Sequence, residues 1–307
     1  MMMSTPSSNT LKPLMKKNRA TGIFSTFAGL VKLKLSMAVV LSAVTGYFLY
    51  HSIPDKSLLF LITGVLLLAS GSAVLNQYTE RKTDALMERT KNRPIPSGIV
   101  SEKEAILFSA LLMVTGCILL FINGVMPLLL GILTVLLYNL FYTKLKKVTM
   151  LAIIPGALVG AIPPLIGFTS AGGSFSNTKI IAFAGFMFLW QLPHFWLIII
   201  RYRNDYNSAG FATITRYLND LQIKYLVFGW VLASTVYLIS FFSLTEGLNK
   251  NMFILFSFLN FTFIITFYRL LFAGKASRET KSAFILINSF SLLIMLLLIT
   301  ISIIKGI

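Results

Sequence analysis

Residues 57–84 read SLLFLITGVLLLASGSAVLNQYTERKTD. Residues 57–78 hold no charged side chain. At about 1.5 Å of rise per residue, a helix of that length crosses a hydrocarbon core of about 30 Å. The same helix then turns polar without a break. Asn76, Glu80 and Asp84 are spaced i, i+4, i+8. Each step of four advances by about 40°, so the three side chains project from one face within two turns. An oxygen-bearing stripe at the end of a membrane helix faces the bundle interior or an aqueous cavity, because lipid penalises it.

The rest of the chain agrees. Of its 307 residues 56% are hydrophobic and only 12% charged, and its mean hydropathy is +0.81. A soluble domain is about 25% charged, so soluble, disordered and fibrous classes are excluded. One cysteine, Cys117, excludes a disulfide framework and any cysteine-based zinc or iron–sulfur site. Eight further stretches are long and apolar enough to span: 31–51, 104–121, 123–142, 150–169, 179–200, 223–243, 252–272 and 283–304. The predicted fold is all-α and polytopic, nine transmembrane helices around a central cavity open to the cytoplasmic side.

Placement explains the net charge of +17. With the connections assigned alternately, 23 of the 27 basic residues fall on the side of the N-terminus, and only Lys56, Lys179, Lys250 and Lys305 fall opposite. Basic residues collect in cytoplasmic connections, so the N-terminus is expected in the cytoplasm and nucleic acid need not be invoked. Residues 1–22 are polar and basic with no apolar run, which predicts a flexible solvated tail rather than a cleaved secretory signal. Residues 23–307 are expected to form a single transmembrane domain. The Ile/Lys/Asn-leaning composition favours a bacterial inner membrane.

Two carboxylates and an amide without a neighbouring His or Cys suit a hard cation. Mg²⁺ binds through one or two carboxylates while substrate phosphates and water complete its shell. A solvated helix end with i, i+4 charge spacing fits the same positions. Directly beyond lies Met87-Glu88-Arg89-Thr90-Lys91-Asn92-Arg93-Pro94-Ile95-Pro96-Ser97-Gly98, a basic loop closed by prolines and glycine. If a metal at Glu80 and Asp84 holds a diphosphate, Arg89, Lys91 and Arg93 are placed for its remaining oxygens, Arg by its bidentate fork and Lys as a point charge.

At these residues NQYTERKTDALMERTKNRPIPSG resembles the first signature of the intramembrane aromatic prenyltransferases, the UbiA superfamily: NxxxDxxxD followed by a basic loop. Its MxRTxxRP continuation resembles the subgroup that farnesylates haem. Further likenesses follow in order: Leu30-Val31-Lys32-Leu33-Lys34 opening the first helix, Phe141–Thr149 (FYTKLKKVT), Gly160–Gly167 (GAIPPLIG), Trp190–Phe195 (WQLPHF) and Asp205–Gly210 (DYNSAG). They extend from about residue 25 to 220.

The resemblance implies a prenyltransferase domain over 23–307 that moves a farnesyl group from farnesyl diphosphate to a vinyl group of haem b, with water added. It implies Mg²⁺ as cofactor at Asn76, Glu80 and Asp84, and contacts to substrate from Lys32, Lys34, Arg89, Arg93, Tyr142 and Lys146. Asp205 or a haem propionate is expected to serve as base toward water. His194 is read either as a haem contact, since haem iron commonly takes His, or as a hydrogen-bonded packing residue of its apolar helix. Pro163-Pro164 is expected to break or kink a helix beside the cavity. A haem A synthase or a terminal oxidase assembly is an expected partner within the lipid bilayer.

The sequence also departs from the pattern. Glu80 and Lys82 stand where the family usually has acids, and Arg201–Asp205 supplies one carboxylate instead of a DxxxD pair. Two other classes fit part of the pattern. A relative that prenylates another aromatic or quinone precursor would keep the stripe. A secondary transporter would hold its carboxylates at the bilayer midplane, in repeats.

Overall fold

The computed structural model describes Gly22 and residues 24–243, 250–272 and 276–305, without the side chains of residues 243, 276–279 and 305. The predicted basic tail therefore lies outside the described residues except for Gly22, as do Glu246 and the Glu279 side chain. Among the described residues all regular structure is helical. The helices are α1 (Phe24–Leu30), α2 (Leu33–Phe48), α3 (Lys56–Asp84), α4 (Glu102–Ile122), α5 (Val125–Leu136), α6 (Thr143–Leu145), α7 (Ile153–Ser170), α8 (Thr178–Arg201), α9 (Arg203–Ser208), α10 (Asp220–Ser243), α11 (Lys250–Phe272) and α12 (Ala276–Lys305). A π-helical stretch, Leu137–Tyr142, joins α5 to α6.

Among the described residues eight spans are long and apolar enough to cross a membrane, and α1 with α2, bent by 55°, makes up to a ninth. This is a multi-pass membrane protein. Local chemistry sets the ends. Asp55 caps α3 by accepting the Ser57 N–H at 2.7 Å, and Ser101 and Glu104 form a reciprocal capping box at α4.

The packing runs in chain order. Helix α2 lies against α3, α3 against α4, α4 against α5, α5 against α7, α7 against α8, α8 against α10, α10 against α11, and α11 against α12, which returns to α2. Helix α2 also crosses α7 at backbone distance. A methyl at Gly46 would overlap the Pro164 carbonyl, and one at Gly167 the Ala43 carbonyl. Small residues allow such approach where lipid supplies no hydrophobic drive between helices. One apolar cluster joins α2, α3 and α7 through Val40, Tyr47, Leu61, Val65 and Ile166. Another fills the second half with stacked aromatics, including Phe263 on Phe290 at 4.0 Å.

Helix α3 runs unbroken past the apolar run to Asp84, as the sequence predicts. Two features differ from expectation. The first span is broken at Val31-Lys32. Helix α7 passes through Pro163-Pro164 without a break; proline's φ near −65° is itself helical, although each ring costs a backbone hydrogen bond and crowds the carbonyl four residues earlier.

Candidate active site

The last two turns of α3 carry the site. Asn76, Glu80 and Asp84 are all buried, with 1%, 3% and 1% of their surface exposed. So the spacing did place three polar side chains on one inward face, and a solvated helix end is excluded for them. Each meets a cation from a different segment. Lys32 donates to the Asn76 amide oxygen at 2.6 Å, Lys146 pairs with Glu80 at 2.5 Å, and Arg93 pairs with Asp84 at 2.7 Å.

Lys32 reaches Asn76 because the chain breaks there. It has φ 47°, the one non-glycine residue with positive φ among the described residues, a conformation that costs about 1–3 kcal/mol and persists only when its surroundings impose it. Gln77, also buried, imposes it. Its amide nitrogen donates to the carbonyls of Gly29 at 2.9 Å and Leu30 at 2.7 Å, the last two residues of α1.

The π-helical stretch supplies the facing wall. Tyr138 donates to the Asn76 oxygen at 3.2 Å, and the Asn76 amide nitrogen donates to Thr143 at 3.0 Å. Tyr142 stacks on Tyr138 with ring centres 5.8 Å apart and touches Phe195. One inserted residue in a helix re-aims the side chains that follow it, and such bulges are frequent at functional sites. Lys146 lies over the Tyr142 and Phe211 rings, 5.2 and 5.1 Å from their centres. Burial lowers its amine, but the Glu80 carboxylate together with the Tyr206 and Tyr138 oxygens outweighs that and holds it above the usual lysine range.

The loop after α3 is fastened at both ends. Thr90 donates to the Asp84 carbonyl at 2.9 Å. Asp205, on α9, accepts the main-chain N–H groups of Glu88 at 3.3 Å and Arg89 at 3.2 Å, while the Arg89 guanidinium lies 4.7 Å from the Tyr202 ring centre. Of the remaining predicted residues, Lys34 is exposed. His194 is half-buried on α8, 4.9 Å from the Phe284 ring centre and hydrogen-bonded to Asn288.

Below Asn76 an apolar cleft opens between α2, α3, α5 and α7. Its open volume is about 70 Å³, the room of a few water molecules. Charged groups above an apolar slot fit a ligand with an anionic head and an apolar tail. Among the described residues no three His, Cys, Asp or Glu side chains converge on one point, so a cation here takes at most two carboxylates and needs oxygens from a ligand.

Residues 39–297 match the UbiA prenyltransferase family. The chain belongs to that family. Among the UbiA relatives, a protoheme IX farnesyltransferase of Geobacter sulfurreducens is 39% identical over 213 residues, covering 69% of this chain and 79% of its own. One of Christiangramia forsetii is 38% identical over 195 residues, 63% of this chain and 65% of its own. One of Listeria innocua is 34% identical over 230 residues, 72% and 75% respectively. A UbiA homologue from Archaeoglobus fulgidus bound to GPP and Mg²⁺ superimposes with TM-score 0.69 at 11% identity, over 91% of this chain and 99% of that one. At that identity the likeness is one of fold.

Several members of this UbiA site escaped the sequence reading. Gln77, Tyr138 and Thr143 meet Asn76 or its neighbours only through contacts 47 to 67 residues distant. Gln77 follows Asn76 in the chain and was the one with a local signal, a second amide at the end of an apolar span.

Proposed function

We propose that this enzyme transfers a farnesyl group from farnesyl diphosphate to a vinyl group of haem b, adding water and giving haem O and diphosphate. The observation that carries the reading is the convergence of Asn76, Glu80 and Asp84 with Lys32, Lys146 and Arg93 above an apolar cleft. The farnesyltransferase relatives support the choice of donor and acceptor.

Asn76, Glu80 and Asp84 would hold Mg²⁺, whose chemistry is to neutralise charge growing on the departing diphosphate. The donor set fits that ion, which accepts one or two carboxylates and completes its octahedron with phosphate and water oxygens. Lys32, Lys146 and Arg93 neutralise the stripe in the ligand-free site and turn to diphosphate oxygens when substrate enters. Arg89, on the loop held by Asp205, contacts the outer phosphate, and Tyr142 closes the slot beside it. The allylic C–O bond breaks with its electron pair on oxygen, the vinyl group supplies the pair for the new C–C bond, and water captures the cation that remains. The proton shed by water goes to a carboxylate, of Asp205 or of a haem propionate. His194 and the aromatic rings around it receive the haem.

The distribution of basic residues supports a site at the cytoplasmic face of a bacterial inner membrane, with the N-terminus on the same side. A haem A synthase or oxidase assembly is the natural recipient of the product. The test is to express the protein, extract the haem and weigh it, with a benzoate acceptor in parallel. Haem gains the mass of a hydrated farnesyl group. Prenylation of the benzoate with haem unchanged would replace haem by another aromatic acceptor.

A further inference from the structure

The break in the first span frees three carbonyls that a continuous helix would satisfy. There Gly29, Leu30 and Val31 would accept the N–H groups of Leu33, Lys34 and Leu35. Instead Leu35 and Ser36 both donate to the Lys32 carbonyl, at 2.8 and 3.1 Å. Side chains take over the three acceptors. Gln77 donates to Gly29 and Leu30 through its amide nitrogen, and the Ser36 hydroxyl donates to Val31 at 2.9 Å. Both side chains are fully buried, where a carbonyl left without a donor is costly. The Gln77 amide oxygen, by contrast, is buried without a hydrogen-bond partner among the described residues. A residue that only filled the space between α1 and α3 would be apolar and carry no such atom.

One turn of α3 holds both ends of this arrangement. Gln77 bonds the end of α1 and so sets the backbone at Lys32. Asn76, about 100° round the same helix, receives the Lys32 ammonium at 2.6 Å, and the Tyr138 hydroxyl accepts it at 3.2 Å. Left-handed backbone at a non-glycine residue persists only when its surroundings hold it, and such strain gathers at functional sites. We propose that Gln77 is a positioning residue for the transfer reaction: it holds the break so that the Lys32 ammonium stands beside Asn76 and meets the diphosphate, and it acts on substrate only through that lysine. This rests on the reading of the protein as a prenyltransferase whose diphosphate sits at Asn76, Glu80 and Asp84. With the Gln77 donors gone, the freed carbonyls regain partners only if the span straightens, which takes Lys32 out of the left-handed region and away from Asn76.

The experiment is a double-mutant cycle read in KM and kcat for farnesyl diphosphate with haem b, on purified protein in lipid nanodiscs. Binding of inorganic diphosphate in the presence of Mg²⁺ is a second readout that needs no acceptor. Gln77→Leu removes the donors at similar volume and raises KM about tenfold, with kcat changed less than about threefold; diphosphate binding weakens in parallel. Lys32→Met raises KM at least as much. The double variant matches Lys32→Met, because a residue that acts through the lysine has nothing left to position. Ser36→Ala gives a smaller rise of the same kind, about threefold, and its own cycle with Lys32→Met decides the matter if Gln77→Leu does not fold. An unchanged KM in folded variants, or effects that multiply in the double variant, overturns the assignment and leaves the prenyltransferase reading intact. Neither farnesyl transfer nor diphosphate binding by the unsubstituted protein overturns both.

Discussion

The Asp205 carboxylate accepts the main-chain N–H of Arg89 at 3.2 Å, across 116 residues of sequence. Its other oxygen takes the N–H of Glu88. The two polar connections at this end of the bundle are thereby one unit, and Ser208, which donates to the Leu86 carbonyl at 3.3 Å, adds a second tie. A single carboxylate where the family usually has a pair has a structural use beyond any contact with metal.

Removing that carboxylate is expected to loosen Arg89 before it affects bond breaking. Asp205→Asn keeps one acceptor oxygen and should raise KM for farnesyl diphosphate several-fold with kcat changed less. Asp205→Ala should raise it about tenfold or more, since a hydrogen bond to a charged group contributes about 1.5–3 kcal/mol. Steady-state kinetics at varied donor concentration read the split. A fall in kcat alone would instead assign Asp205 to the chemical step.

Glu80 and Lys146 should behave as a coupled pair. Glu80→Gln removes a proposed metal ligand and should lower haem conversion by about 10²–10³-fold, the usual loss for one positioned electrostatic group, about 2.7–4 kcal/mol. Lys146→Met leaves Glu80 buried without its partner. Thermal unfolding in detergent should show that the double variant loses less than the two single variants together, by about 0.5–3 kcal/mol. Strict additivity would mean that the pair does not interact.

Much of this was legible because helical periodicity is local. The apolar runs announced the spans, and the i, i+4, i+8 spacing placed Asn76, Glu80 and Asp84 on one face without knowledge of any neighbour. What the face meets depends on tertiary packing. Lys32 was named as a substrate contact, but its left-handed backbone and the Gln77 bonds that impose it are set by contacts 44 to 48 residues apart. Tyr138 was not singled out in the sequence, because the π-helical stretch that aims it leaves no compositional mark. The Pro163-Pro164 pair read as a break or kink, and the helix runs through it without a break.

The crossing of α2 and α7 carries its own prediction. At Gly167 an added side chain meets the Ala43 backbone, which cannot rotate away. Gly167→Leu should destabilise by at least the 1–3 kcal/mol typical of overpacking and reduce the folded protein recovered from membranes. Gly229, on α10, faces open space. Gly229→Ala should be neutral or stabilising by up to about 1 kcal/mol, the helical cost of glycine. Equal yields for the two variants would show that the helices are not in backbone contact.

The most direct measurement is the binding of farnesyl diphosphate by the purified protein, titrated with and without Mg²⁺, beside Asp84→Asn. Asparagine keeps the size and removes the charge. The account predicts tight binding that needs the ion, is abolished by chelation and restored by added Mg²⁺, and is weakened at least a hundredfold in the variant while it remains folded. Binding of equal strength without the ion, or undiminished in Asp84→Asn, would contradict it.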